Sequence, residues 1–205
     1  MPSISSALKP KPLLPVSPHL EMGKIEKIVR EQTCRLVGSP PRLSFFYEVD
    51  KTTCQIIPTL TRGGLIRSFV GNEEIITNKK GPKIFPKPLP LPSSNDTRNV
   101  GQEVYFLEYS RSKPQECWLR KKTIHSLLPP SVSGCIDHYL FNNKYSRFRV
   151  VSDNPIAGTP FFKVNRQGKL YLVGFGEDTA TPQVCLDIRD IDNVYRLFKS
   201  VRLRL

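Results

Sequence analysis

Arg120-Lys121-Lys122 sets three cations side by side, the residue types that contact phosphate or sulfate groups. In a strand the same run is also an ordinary solvated edge. Five cysteines, Cys34, Cys54, Cys117, Cys135 and Cys185, could act as nucleophiles, metal ligands or disulfide partners. Their odd number leaves at least one thiol free or intermolecular. No Cys-x-x-Cys pair occurs and His19, His125 and His138 are scattered, so the spacing of a zinc site is missing. No cofactor motif is found. Ser152-Asp153 precedes Asn154-Pro155-Ile156-Ala157-Gly158-Thr159-Pro160, which on its own reads as a turn between strands.

Holding such groups in place takes a core, and the composition supplies one. Of 205 residues, 39% are hydrophobic and 9% aromatic, which excludes wholesale disorder. No run of eighteen apolar residues exists, so no spanning helix and no membrane partner is expected, and no signal-peptide pattern opens the chain. The net charge of +13 invites a nucleic-acid reading, but 15 basic and 8 acidic residues lie in 1–100 and 16 and 10 in 101–205. The charge is spread rather than concentrated. Nineteen prolines disfavour long helices and point to strands and loops.

Residues 1–35 read as a Pro/Ser-rich flexible arm ending in a weak helix at Glu21–Glu31. Strands are expected at Leu43–Val49 and Thr53–Thr59. Proline at every second position from 86 to 92 forces an extended connector, and the domain boundary falls there. Further strands are expected at Gly101–Tyr109, Cys117–Leu127, Arg147–Val151 and Thr159–Val164. The turn Asn165-Arg166-Gln167-Gly168 then returns the chain as Lys169–Phe175. Val184–Ile188 is the last strand. Val194, Leu197, Phe198 and Val201 form the stripe of a C-terminal helix capped by Asp190 or Asp192.

This order resembles the chymotrypsin-like (trypsin-family, S1) serine proteases. Glu74-Ile75-Ile76 through Lys83-Ile84-Phe85 is similar to the segment from the triad acid to the inter-barrel linker. Pro88-Leu89-Pro90-Leu91-Pro92 and Gly101–Phe106 resemble that linker and the first strand of the second barrel. Ala157-Gly158-Thr159-Pro160-Phe161-Phe162 and Leu170–Gly176 are similar to the stretch from the nucleophile through the next hairpin. Val184–Ile188 and the terminal helix complete the match. The resemblance implies a mainly β, double-barrel fold with a shortened N-terminal barrel and a C-terminal helix. Its parts would be a degenerate first barrel and linker at 36–92 and a C-terminal barrel at 93–205. Arg35-Leu36-Val37-Gly38 is similar to the family's activation junction, and extracellular localisation is what the family implies. Cys34 and Cys117 could form the long-range bridge that some members of the family make, and the sequence leaves the connectivity open.

The resemblance also implies lost catalysis. The triad needs a serine, a histidine base and an acid, beside two oxyanion N–H donors. Ala157 stands at the nucleophile position and lacks any nucleophilic atom. No histidine lies between Cys54 and Glu74, so the acid position, Glu74, has no imidazole to orient. Pro155 falls where an oxyanion donor is needed and has no N–H. Ile156 replaces the aspartate that pairs with the freed N-terminus. Shifting the register to make Ser152 the nucleophile breaks the spacing to Pro160 and still supplies no base. Val151 lies at the pocket floor, where an apolar residue would favour apolar or aromatic groups. The expectation is a non-catalytic homologue, not an enzyme, that binds a protein partner or a heparin-like polyanion through Arg120, Lys121 and Lys122. The competing reading takes Gly101–Tyr109 and Trp118–Lys122 as the opening strands of an SH3-like or Tudor-like module for nucleic acid or chromatin.

Overall fold

The computed structural model of the chain describes residues 21–36, 41–49, 52–58, 66–70, 89, 96–113, 115–132 and 144–190. The chemistry expected at Glu74, Cys54 and Cys135, and the apolar stripe of the terminal helix, rest on side chains outside that description. Helix α1 (Met22–Gln32) buries Ile25 and Val29, one turn apart, and ties Arg30 to Glu26 across another turn at 2.7 Å. Strands β1 (Thr33–Leu36), β2 (Arg42–Val49), β3 (Thr52–Pro58) and β4 (Ile66–Val70) follow as one antiparallel sheet in chain order. The boundary expected at residue 35 therefore falls inside β1, which pairs Cys34 with Ser44.

The second half closes on itself. Strands β5 (Glu103–Tyr109), β6 (Cys117–Val132), β7 (Lys144–Val150), β8 (Pro160–Val164), β9 (Leu170–Gly176) and β10 (Gln183–Asp187) form a closed barrel in the order β10-β7-β6-β5-β8-β9. The protein is mainly β with a six-stranded barrel, as the sequence implied. Asn165 builds the β8–β9 turn: its side-chain oxygen accepts the amides of Gln167 and Lys169, both at 2.9 Å, and Gly168 takes a φ of +73°. Strand β6 runs five residues past Leu127 despite Pro129 and Pro130. A register shift between Leu128 and Ser131 takes both prolines out of the β7 ladder. After β10 the chain turns helical at 188–190.

Alternation along the strands makes two cores. Val104, Phe106, Phe148, Phe161, Val173 and Cys185 fill the barrel, with the Phe161 ring 5.0 Å from Phe106 and 6.3 Å from Phe148. The outward set, including Tyr105, Leu107, Phe162, Leu172 and Leu186, packs on Ile25 and Val29 of α1 and Leu43 and Phe45 of β2. Phe45 meets Phe175 at 5.3 Å. Each such side chain contributes about 1.5–3 kcal/mol on burial, so the helix and first sheet share a core with the barrel. Gly174 permits a close backbone approach: a Cβ there would lie 2.1 Å from the Leu186 carbonyl oxygen.

An ion network ties the stretch before β5 to the end of β10. Arg98, buried, holds Asp187 at 3.1 Å and also Asp96, while Arg189 reaches Asp187 at 2.9 Å and Lys163 reaches Asp96 at 3.1 Å. Burial works against the Asp96 carboxylate, but the bonds from Arg98 and Lys163 outweigh it and hold its pKa below the ordinary value.

Candidate functional site

Val150 is the last residue of β7 opposite β6, where it faces Ile124. Past it the chain leaves the sheet and crosses to β5. There the Ser152 hydroxyl donates to Glu108 Oε2 at 3.0 Å, and the Asp153 amide donates to the same oxygen at 3.1 Å. Glu108 Oε1 accepts from Arg120 Nε at 3.1 Å. Glu108 is only 4% exposed. A carboxylate that deeply placed persists because three donors replace its water. Sequence reasoning missed Glu108, although it follows Val104 and Phe106 at the inward-pointing positions of β5.

The next residues are held as firmly. Asn154 donates to the Tyr109 carbonyl and accepts Arg111 Nε at 2.9 Å. The Ile156 carbonyl accepts the Thr159 hydroxyl at 2.6 Å and Gln183 Nε2 at 2.9 Å. Gly158, at φ +87°, donates its N–H to Gly176 O at 2.8 Å. Ala157 is fully buried, and its carbonyl accepts the Leu43 amide at 2.9 Å. Pro155 and Ile156 are buried with it, and Val151 is half-buried. Of the sequence-derived positions, Val151, Pro155, Ile156 and Ala157 thus stand together where β2 meets the barrel.

Gln183 occupies the space beside this segment. Its side chain is fully buried, and its amide lies within 2.1 Å of where a Gly176 Cβ would be. Besides Ile156, Nε2 bonds the Asp178 carbonyl at 2.7 Å. Ser152 is 2% exposed, and its hydroxyl donates its proton to Glu108. Among the described residues the only histidine is His125, exposed on β6.

The three cations divide. Arg120 pairs with Glu108 and lies over the Trp118 ring at 5.8 Å; Lys121 pairs with Glu103 at 3.0 Å. Lys122 is half-buried and makes no ion pair among the described residues. Directly opposed residues of antiparallel strands share a face. Trp118, Arg120 and Lys122, opposite Glu108, Phe106 and Val104, therefore face the concave side, and Lys121, opposite Tyr105, faces the other. The run is not one cationic face.

The bridge expected between Cys34 and Cys117 is absent: both are free thiols. Cys117 Sγ instead accepts Arg30 Nη1 at 2.9 Å, and Arg30 Nη2 donates to the Cys117 carbonyl at 3.1 Å. Burial pushes the Cys34 thiol up, and it pushes the enclosed Cys185 thiol well up. Tyr109 carries the Arg35 guanidinium 5.5 Å over its ring. Burial, aided by Cys117 and Cys34, raises its phenol to about 12. Among the described residues no three His, Cys, Asp or Glu side chains gather as a metal site, and no helix is long and apolar enough to cross a membrane.

Comparison with models of protein families finds no match, and comparison with curated proteins finds none. Among solved structures, the chain is similar to Rv3671c from M. tuberculosis H37Rv, crystallised as a serine-to-alanine mutant in its inactive form. The identity is 12%, the coverage 93% of this chain and 94% of that one, and the TM-score 0.48.

Proposed function

We propose that the chain is a non-catalytic relative of the chymotrypsin-like serine proteases that acts by binding a protein or a polyanion. The reading rests on the sequence resemblance, and the six-stranded barrel formed by the segment expected to be the second barrel is consistent with it. The observation that carries it is Ala157: a methyl side chain, fully buried, stands where the sequence resemblance puts the nucleophile. Pro155 has no N–H to offer an oxyanion.

Incubation with a fluorophosphonate serine probe tests this directly. No labelling is expected, and stoichiometric labelling overturns the reading. Sequence-selective binding of DNA or RNA with a steep salt slope would replace it with the nucleic-acid module.

A further inference from the structure

Strand β6 is longer than its neighbours on one side. It pairs with β5 from Cys117 to Thr123, but with β7 only from Ile124 onward. The chain after β7 does not continue along β6, because Ser152 and Asp153 turn to Glu108. Among the described residues, no strand therefore covers the outer edge from Cys117 to Thr123.

The hydrogen-bond parity shows what that edge presents. Ile124 exchanges bonds with the β5 side, donating to Gln102 O and accepting from Gly101 N, both at 2.9 Å, and Glu116 O accepts Ser110 N at 2.9 Å. Even-numbered residues between them aim their backbone groups at β5, and Cys117, Leu119, Lys121 and Thr123 aim theirs outward. The Cys117 carbonyl points out to Arg30 accordingly. Trp118, the single tryptophan, is 45% exposed along this edge.

We propose that the Leu119–Thr123 edge of β6, beyond the Cys117 carbonyl that Arg30 already holds, receives an extended, acidic segment of a partner protein as an added antiparallel strand. Backbone groups of Leu119, Lys121 and Thr123 would supply the pairing and Trp118 the apolar cover. Charge selects the occupant. Two copies of this edge paired about Arg120 would set Arg120 against Arg120, which like-charge repulsion disfavours. An acidic strand instead meets Lys122 on one face, beside the Arg120–Glu108 pair, and Lys121 on the other. The Lys121–Glu103 pair is half-exposed on both sides, so it is weak enough to exchange for a partner's carboxylate. The overall charge of +13 favours encounter with such a segment.

The proposal rests on the binding reading above, and the 205-residue chain tests it. A short peptide of alternating Glu and Val is titrated at low salt while Trp118 emission is followed. Saturable binding with a shift to shorter wavelength is expected. N-methylation of one alternate set of peptide residues should weaken binding about tenfold or more, and methylation of the other set should not. Lys122→Glu, checked for folding by circular dichroism, should weaken it about tenfold. Absence of any emission change, or equal tolerance of both methylated peptides, overturns the added strand. So does binding of a heparin oligosaccharide where the peptide fails, or concentration-dependent dimerisation through this edge. If the peptide fails and fluorophosphonate also fails to label, this proposal falls while the non-catalytic reading stands.

Discussion

The Leu43 amide donates to the Ala157 carbonyl at 2.9 Å, and both residues are fully buried. This bond joins β2 of the first sheet to the segment between β7 and β8. It places the nucleophile position of the resemblance in the packed seam rather than in open solvent.

Restoring the hydroxyl should therefore restore nothing. Ala157→Ser is expected to remain unlabelled by fluorophosphonate, since the one histidine among the described residues, His125, is exposed on β6. Placing a hydroxyl in a fully packed position should lower stability by about 1–3 kcal/mol. Chemical denaturation measures the second effect, and labelling of the variant would contradict the first.

Glu108 should matter more to folding than its neighbours on the surface. Glu108→Ala leaves the buried Ser152 hydroxyl and the Asp153 amide without their acceptor. A loss of about 1–3 kcal/mol is expected. Ser152→Ala, which removes one donor and leaves the carboxylate two others, should cost about 1 kcal/mol. Urea midpoints of the two variants test the ranking, and an equal effect would show that the carboxylate does not organise this loop.

Two glycines make a sharper pair. Gly176→Ala collides with the Gln183 amide, whereas Gly174→Ala collides with the Leu186 carbonyl and the Phe148 ring. Each should cost about 1–3 kcal/mol. Only the first has a remedy: Gln183→Ala should recover part of the Gly176→Ala loss, giving a coupling energy of roughly 0.5 kcal/mol or more in a double-mutant cycle. It should recover none of the Gly174→Ala loss.

Stability should fall at both ends of the pH scale for separate reasons. The Asp96 pKa is lowered in the fold, so its contribution is complete above the ordinary 3.8 and is lost as pH drops through the folded value. Asp96→Asn should flatten the acid limb. The Tyr109 phenol is raised from 10.0 to about 12, so the unfolded chain ionises first and stability declines as pH climbs between them. Tyr109→Phe should remove that part of the alkaline decline, read from denaturation midpoints, with phenolate absorbance reporting the late ionisation.

Much of the strand content was legible along the chain. Alternation at Glu103–Tyr109 and Leu170–Gly176 and the Asn165–Gly168 turn are local signals, fixed by side-chain parity and φ preference, and they survive into the structure. The helix at Met22–Gln32 was visible only as a weak pattern, because its stability comes from Ile25 and Val29 packing on the barrel. The sequence by itself also determined that residue 157 has no nucleophilic atom and that residue 155 has no N–H.

Tertiary structure decided the pairings. Whether Cys34 and Cys117 bridge is a matter of which group reaches each sulfur, and Arg30, 87 residues from Cys117, reaches that one. Glu108 meets Ser152 across 44 residues. Its inward parity on β5 was written in the sequence, but not the donors that make a buried carboxylate tolerable. The three cations look alike in a row. The strand's two-residue period separates them onto two faces, and its early departure from β7 turns their backbone into an edge.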